Sequence, residues 1–357
     1  CLRFVINAKG DLMEIERKKM EAVRLIHQKD YTSAAAMLKD ILAQNPDDRI
    51  ANYYTGLLCV YELNYEMAED FFEKAKSLGM DDCALWMNLS GVYEDLGKMA
   101  EAEEGYKDAV KRAADEQERW SCITALGLFY LKRKQYLRAR KIAAQLQKDF
   151  PANYEGWHLQ YEIARVQEQY EECQRVLKLA EESFGDHPVC LGDQLELWKE
   201  TKSPEEILEL LEADQRFMEK IPLLTLRTRV MLLERLNRRE EAKKDILILA
   251  ERYLDPDAMI SAVLFAFGDQ DYRRVQQLCL AVMKELENDP EDIHYFHATY
   301  YSMFASYMED EGQIRAENIK WVEQGVDYCE KWLMLHQIED AKMRETLDLI
   351  KNAINIH

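Results

Sequence analysis

Residues 83–116 read CALWMNLSGVYEDLGKMAEAEEGYKDAVKRAADE, and their periodicity decides the fold. Trp86, Leu89, Ser90 and Tyr93 fall on one helical stripe, Gly97 interrupts it, and Ala102, Tyr106 and Ala109 form a second stripe. The pattern predicts two helices of about a dozen residues joined by a tight turn. Ser90, Ala102 and Ala109 let the two backbones approach, while Trp86, Leu89, Tyr93 and Tyr106 fill the groove against the next pair.

The same arrangement recurs in both directions along the chain. Small residues return as Ala34, Ala68, Ala102, Ala139 and Cys173, at intervals of 34, 34, 37 and 34. A second series, Tyr31, Tyr65, Met99, Tyr136 and Tyr170, keeps the same phase, as does a third, Leu38, Phe72, Tyr106, Ala143 and Leu177. Where these fade, Pro188, Pro222, Pro256 and Pro290 continue at intervals of 34. Proline starts or ends helices, so evenly spaced prolines mark evenly spaced helix boundaries.

With Trp86, Leu89, Tyr93, Ala102 and Tyr106 in this order, the chain resembles the tetratricopeptide repeat family. The two small positions of that family's repeat match Ala22 and Ala34, Gly56 and Ala68, Ser90 and Ala102, and Gly127 and Ala139 in the first four units. The fifth unit departs, with Tyr161 and Cys173, although Trp157, Tyr170, Leu177 and Ala180 keep register. The resemblance implies an all-α, right-handed α-solenoid of stacked helix-turn-helix repeats with a C-terminal capping helix.

Units are expected at 15–48, 49–82, 83–116, 120–153 and 154–187, then three more degenerate ones across 188–289. In the sixth, Ser203-Pro204-Glu205-Glu206 reads as a capped helix start. An extended terminal pair and a capping helix near 339–355 are expected within 290–357, with Gly312 as the turn of that pair. Residues 1–14 are expected to be an N-terminal tail or the remnant of an upstream segment, and CLRFVINAKG at 1–10 reads as a short strand-like run.

A composition of 48% hydrophobic and 32% charged residues, with 13 Gly and 7 Pro among 357, suits a helical protein and leaves little for the turns of an all-β fold. The formal charge of −20 repels phosphate backbones and anionic lipid, which argues against nucleic acid as a ligand. Eight cysteines without a close pair read as small apolar core residues in a reducing, cytoplasmic compartment. No apolar stretch is long enough for direct membrane insertion.

Catalytic signatures are missing. Gly91 to Gly97-Lys98-Met99 is one residue too long for a phosphate-binding loop and lacks its hydroxyl. His294 and His297 lie one turn apart beside Asp292 but have no third ligand nearby in sequence, and packing among Tyr295, Phe296, Tyr300 and Tyr301 explains them better. No cofactor and no metal are expected. A chain of hairpins without insertions also offers no loop platform for catalysis, so the reading is not an enzyme.

Function is then expected on the groove that the first helices line in the resembled family. Its groove positions correspond to Tyr53, Leu57, Val60 and Tyr61; Met87, Gly91, Glu94 and Asp95; Thr124, Leu128, Leu131 and Lys132; and His158, Glu162 and Arg165. One branch of the family grips a C-terminal carboxylate with a Lys and Asn clamp. Lys19 and Asn88 fall on such positions here, but Val23, Thr124 and Ala125 replace the rest. The groove instead reads apolar and aromatic, fitting an amphipathic helix or apolar segment, with acidic residues that suit a basic partner. The expected function is a protein- or peptide-binding scaffold. The alternatives are a ligand-responsive regulatory module whose output domain lies outside this chain, and an all-helical enzyme.

Overall fold

Seven hairpins among the described residues are closed by the same backbone device. In the computed structural model, which describes residues 2–287 and 289–354, with only the backbone of 2–13, one residue between paired helices adopts a left-handed conformation. These residues are Lys29, Leu63, Gly97, Lys134, Glu168, Asn237 and Gln270, all with φ between 56° and 76°. The next N–H donates back to the carbonyl five residues earlier, as in Asn64 to Cys59 and Lys98 to Tyr93, both within 2.8 Å. This pattern ends the first helix and starts the second. Only one of the seven turn residues is glycine, so six side chains accept the left-handed strain for the sake of the turn.

Asp30, Asn64 and Asp271 then cap the second helices of their hairpins with side-chain oxygens, and Asp48, Asp82, Asp115, Asp255 and Asp292 cap first helices. The sixth hairpin turns differently: Ser203 and Glu206 exchange hydrogen bonds in the expected capping box, with Pro204 in the first turn.

Among the described residues all regular structure is helical. The chain divides into two units at Asp193–Gln194. The first contains hairpins α1 (Leu2–His27) with α2 (Tyr31–Gln44), α3 (Arg49–Tyr61) with α4 (Tyr65–Ser77), α5 (Cys83–Asp95) with α6 (Met99–Arg112), α7 (Glu116–Lys132) with α8 (Tyr136–Asp149), and α9 (Glu155–Arg165) with α10 (Tyr170–Phe184). It ends within α11 (Pro188–Thr201). The second holds the rest of α11, then α12 (Pro204–Ala213), α13 (Arg216–Lys220), and hairpins α14 (Pro222–Arg235) with α15 (Arg239–Arg252) and α16 (Pro256–Gly268) with α17 (Tyr272–Glu285). The longer pair α18 (Ile293–Glu309) with α19 (Ile319–Leu335) follows, and α20 (Ala341–Ile354) ends the described helices.

Two expectations are corrected. The stretch expected as a strand-like tail is helical from Leu2, and α1 runs unbroken into the first hairpin; residue 1 lies outside the described residues. The sixth unit also contains the extra short helix α13, which seats Phe217, almost wholly buried, against the Trp198 ring at 5.0 Å. Gly312 (φ 87°) does lie in the loop between α18 and α19, and α20 buries Leu347 and Ile350 while Leu349 stays exposed.

The small residues of the repeat sit where two helices touch. Ala34, Ala68, Ala102, Ala139 and Cys173 have no solvent exposure. A methyl group on Gly56 would lie 2.7 Å from the Phe72 ring, and one on Gly127 2.5 Å from Leu159. At such distances any larger side chain forces these neighbours to shift.

Candidate functional site

In the first unit, the first helices of successive hairpins touch one another directly, α1 with α3, α3 with α5, α5 with α7 and α7 with α9. They therefore form a continuous layer whose outward face is built from one stripe of each helix. On α3, Leu57 is half-buried and Tyr61 is 54% exposed, its ring stacked on Tyr31 at 4.7 Å. On α5 and α7, Met87 and Leu131 are half-buried and Leu128 is exposed. Glu94 accepts from Lys132 Nζ on the neighbouring helix at 2.9 Å and from the Tyr106 hydroxyl at 3.2 Å. The Thr124 hydroxyl is buried without a hydrogen-bond partner.

Tyr53 stands apart from its sequence-predicted neighbours and is corrected to a core residue. Its ring packs against Phe72, burial leaves it 7% exposed, and its hydroxyl oxygen accepts from Asn88 Nδ2 at 2.8 Å. Burial, with help from Asp82, pushes this phenol up to about 12, so it stays neutral. Asn88 is thereby used internally, and Lys19 is buried against Asp48 at 2.9 Å, where that carboxylate also caps α3. Neither residue is free to hold a chain terminus.

On α9 the predicted groove residues enter a different environment. Glu162 and Arg165 form a two-pronged ion pair at 2.8 and 2.7 Å along their own helix. His158 turns toward α11, where its Nδ1 lies 2.8 Å from Asp193 Oδ2 and 3.1 Å from Oδ1. The Tyr154 hydroxyl donates to the same Oδ2 at 2.9 Å. Asp193 is buried, and burial raises its carboxyl above the ordinary range despite His158 and Tyr154. Burial works against the His158 imidazolium, yet Asp193 outweighs it and raises that group too. The pair therefore holds one proton more tightly than either partner alone.

Sequence reasoning missed Tyr154 and Asp193. The available signal was Tyr161, a large residue at a position where the other hairpins of this unit carry Ala22, Gly56, Ser90 and Gly127.

Other features singled out in the sequence are absorbed by structure. Gly97 is a turn residue and Lys98 pairs with Glu69. His294 is held between Asp292 at 2.7 Å and Asp257 at 2.9 Å, and His297 packs between Phe296 and Tyr301. A depression of about 1000 Å³ lined by Arg140, Tyr170, Glu171, Glu172 and Arg175 is open and polar, and its lining comes from the second helices and the turn before α10. It shares no residue with the first-helix face. No described helix is long and apolar enough to cross a membrane.

No family model and no curated protein matches the chain. Solved structures do. A tetratricopeptide repeat protein from Parabacteroides merdae is 14% identical with a TM-score of 0.49, over 69% of this chain and 97% of that one. The C-terminal part of a repeat-containing protein of the same type from Cytophaga hutchinsonii is 10% identical with a TM-score of 0.44, over 78% and 98%. YrrB, described as such a protein with an unusual peptide-binding site, is 21% identical with a TM-score of 0.39, over 48% and 88%.

Proposed function

We propose that this chain of tetratricopeptide-type hairpins is a scaffold that holds a short apolar or amphipathic protein segment along the first-helix face of its first unit. The supporting observation is the layer of touching helices α3, α5 and α7, which leaves Tyr61 and Leu128 exposed and Leu57, Met87 and Leu131 half-exposed on one side. Such a strip favours side chains placed at helical or extended spacing, with main-chain groups left to solvent. Exposed Asp95 borders it, and with a formal charge of −20 the chain favours a segment carrying Lys or Arg while disfavouring nucleic acid. Seven buried free thiols fit a reducing, cytoplasmic setting. The scaffold needs no cofactor and performs no catalysis of its own.

Selection of peptides against the full chain from a display library tests this reading. Enriched peptides are expected to pair apolar residues with Lys or Arg, and to lose at least roughly tenfold in affinity, about 1.4 kcal/mol, for Leu57→Glu and Leu128→Glu. Leu179→Glu, exposed on second helix α10, should leave affinity unchanged. Peptides that bind Leu128→Glu as tightly as the parent chain, or that respond only to Leu179→Glu, would refute the assignment. Tyr53→Ala is unsuitable as a probe because it opens the core.

A further inference from the structure

The fifth hairpin breaks the rule that its first helix carries a small residue at the crossing point. Tyr161 stands there, wholly buried, and its hydroxyl has no hydrogen-bond partner. Glu155 Oε2 and His187 Nδ1 are also buried without partners, so three of the five such side-chain atoms among the described residues fall within residues 155–187. Buried polar groups are nearly always satisfied, and a local concentration of unsatisfied ones marks a place for something more than protein.

We propose that His158, Glu162 and Asp193 form a binding site for a divalent transition-metal ion, Zn²⁺ foremost. One ring nitrogen of His158 and one carboxylate oxygen from each of the other two lie within 4.8 Å of one another, the only such group of three among the described residues. His158 and Glu162 are four residues apart on α9 and so share a face, while Asp193 arrives from α11. Bonds of about 2.1 Å in tetrahedral geometry place ligand atoms about 3.4 Å apart, so the cluster must contract by roughly an ångström.

Glu162 can supply that movement. It is held only by the ion pair with Arg165 on its own helix, where Arg165 is exposed, and a pair of that kind is worth little. Asp193, in contrast, is already oriented by the Tyr154 hydroxyl on Oδ2, which leaves Oδ1 with only the longer contact to His158. A carboxylate fixed from behind by a hydrogen-bond donor is the usual support of a metal ligand. An imidazole with two carboxylates favours Zn²⁺ or its neighbours over Mg²⁺, which prefers oxygen and retains its waters. Three protein ligands leave the fourth position for water.

The test is titration of the chelator-treated full chain with Zn²⁺ against a chromophoric competitor, repeated with Co²⁺ by visible absorption. One equivalent of zinc should bind and raise the thermal midpoint. Loss of even an outer-shell partner changes metal affinity about 10- to 100-fold, so His158→Gln and Glu162→Gln should each weaken uptake roughly tenfold or more. Arg165→Ala, which frees Glu162, should not weaken it. Cobalt bound here should show weak d–d bands without thiolate charge transfer. Absence of uptake, uptake unchanged in Glu162→Gln with parental circular dichroism, or an intense thiolate band placing the ion on cysteine would each overturn the proposal. Because Glu162 is anchored only within its own helix turn, Glu162→Gln folds as the parent does, and the test remains decisive if Asp193→Asn does not.

Discussion

The three hairpins from α3 to α8 and the junction of α9 with α11 use the same backbone turns to opposite ends. In the former, Gly56, Ser90 and Gly127 bring paired helices so close that a single methyl group would clash at two of the three positions. At the third position, Ser90 Oγ is satisfied within its own helix by the Trp86 carbonyl at 2.5 Å. At the junction the small residue is replaced by Tyr161, and the added volume comes with a buried carboxylate, an imidazole and hydroxyls that must be served by partners far along the chain. Repeat grammar thus secures packing where it is obeyed. Where it is broken, it opens room for chemistry.

The largest test of this contrast is Ala102→Glu. Ala102 has no exposure, so the substitution overpacks the α5–α6 hairpin and buries a charge, and a loss of at least about 3 kcal/mol is expected from urea unfolding of the full chain. A midpoint equal to that of the parent would show that the close approach is not what holds these hairpins.

Glycines of the first helices should then separate by what surrounds them. Gly56→Ala drives a methyl group into the buried Phe72 ring, with an expected cost of about 1–3 kcal/mol. Gly91→Ala, one hairpin later, meets nothing closer than the Tyr106 hydroxyl at 4.0 Å, so removal of mid-helix glycine should stabilise by about 0.5–1 kcal/mol. Equal effects at the two positions would erase the distinction between crossing point and open face.

The smallest test lies at the junction. Tyr154→Phe removes a hydrogen bond to a buried carboxylate and should cost about 1.5 kcal/mol or more, whereas Tyr161→Phe removes a hydroxyl that bonds to nothing and should be neutral or mildly stabilising. Thermal melts of the two variants side by side decide it, and a destabilised Tyr161→Phe would mean that this hydroxyl is already served.

Much of this architecture was legible beforehand. Gly97, Gly312, the Ser203–Glu206 cap, the prolines at 188, 222 and 256 and the buried Ala68, Ala102 and Ala139 all stand where the periodicity placed them. The face along α3, α5 and α7 is less legible: its spacing puts Tyr53 outward, although the side chain turns into the core against Phe72. One-dimensional spacing assigns a residue to a stripe, but which edge of the stripe is covered depends on how closely the next hairpin approaches.

What the amino-acid order settled by itself was carried by short-range rules: the helix period, the glycine turns, the Ser203 cap and the return of small residues at intervals of 34 or 37. Only the tertiary structure could bring Asp193 to His158, 35 residues away, and leave Tyr161 without a partner. Helical periodicity is written in neighbours three and four positions apart, whereas a buried polar cluster is made by contacts between elements, whose distances no local pattern encodes.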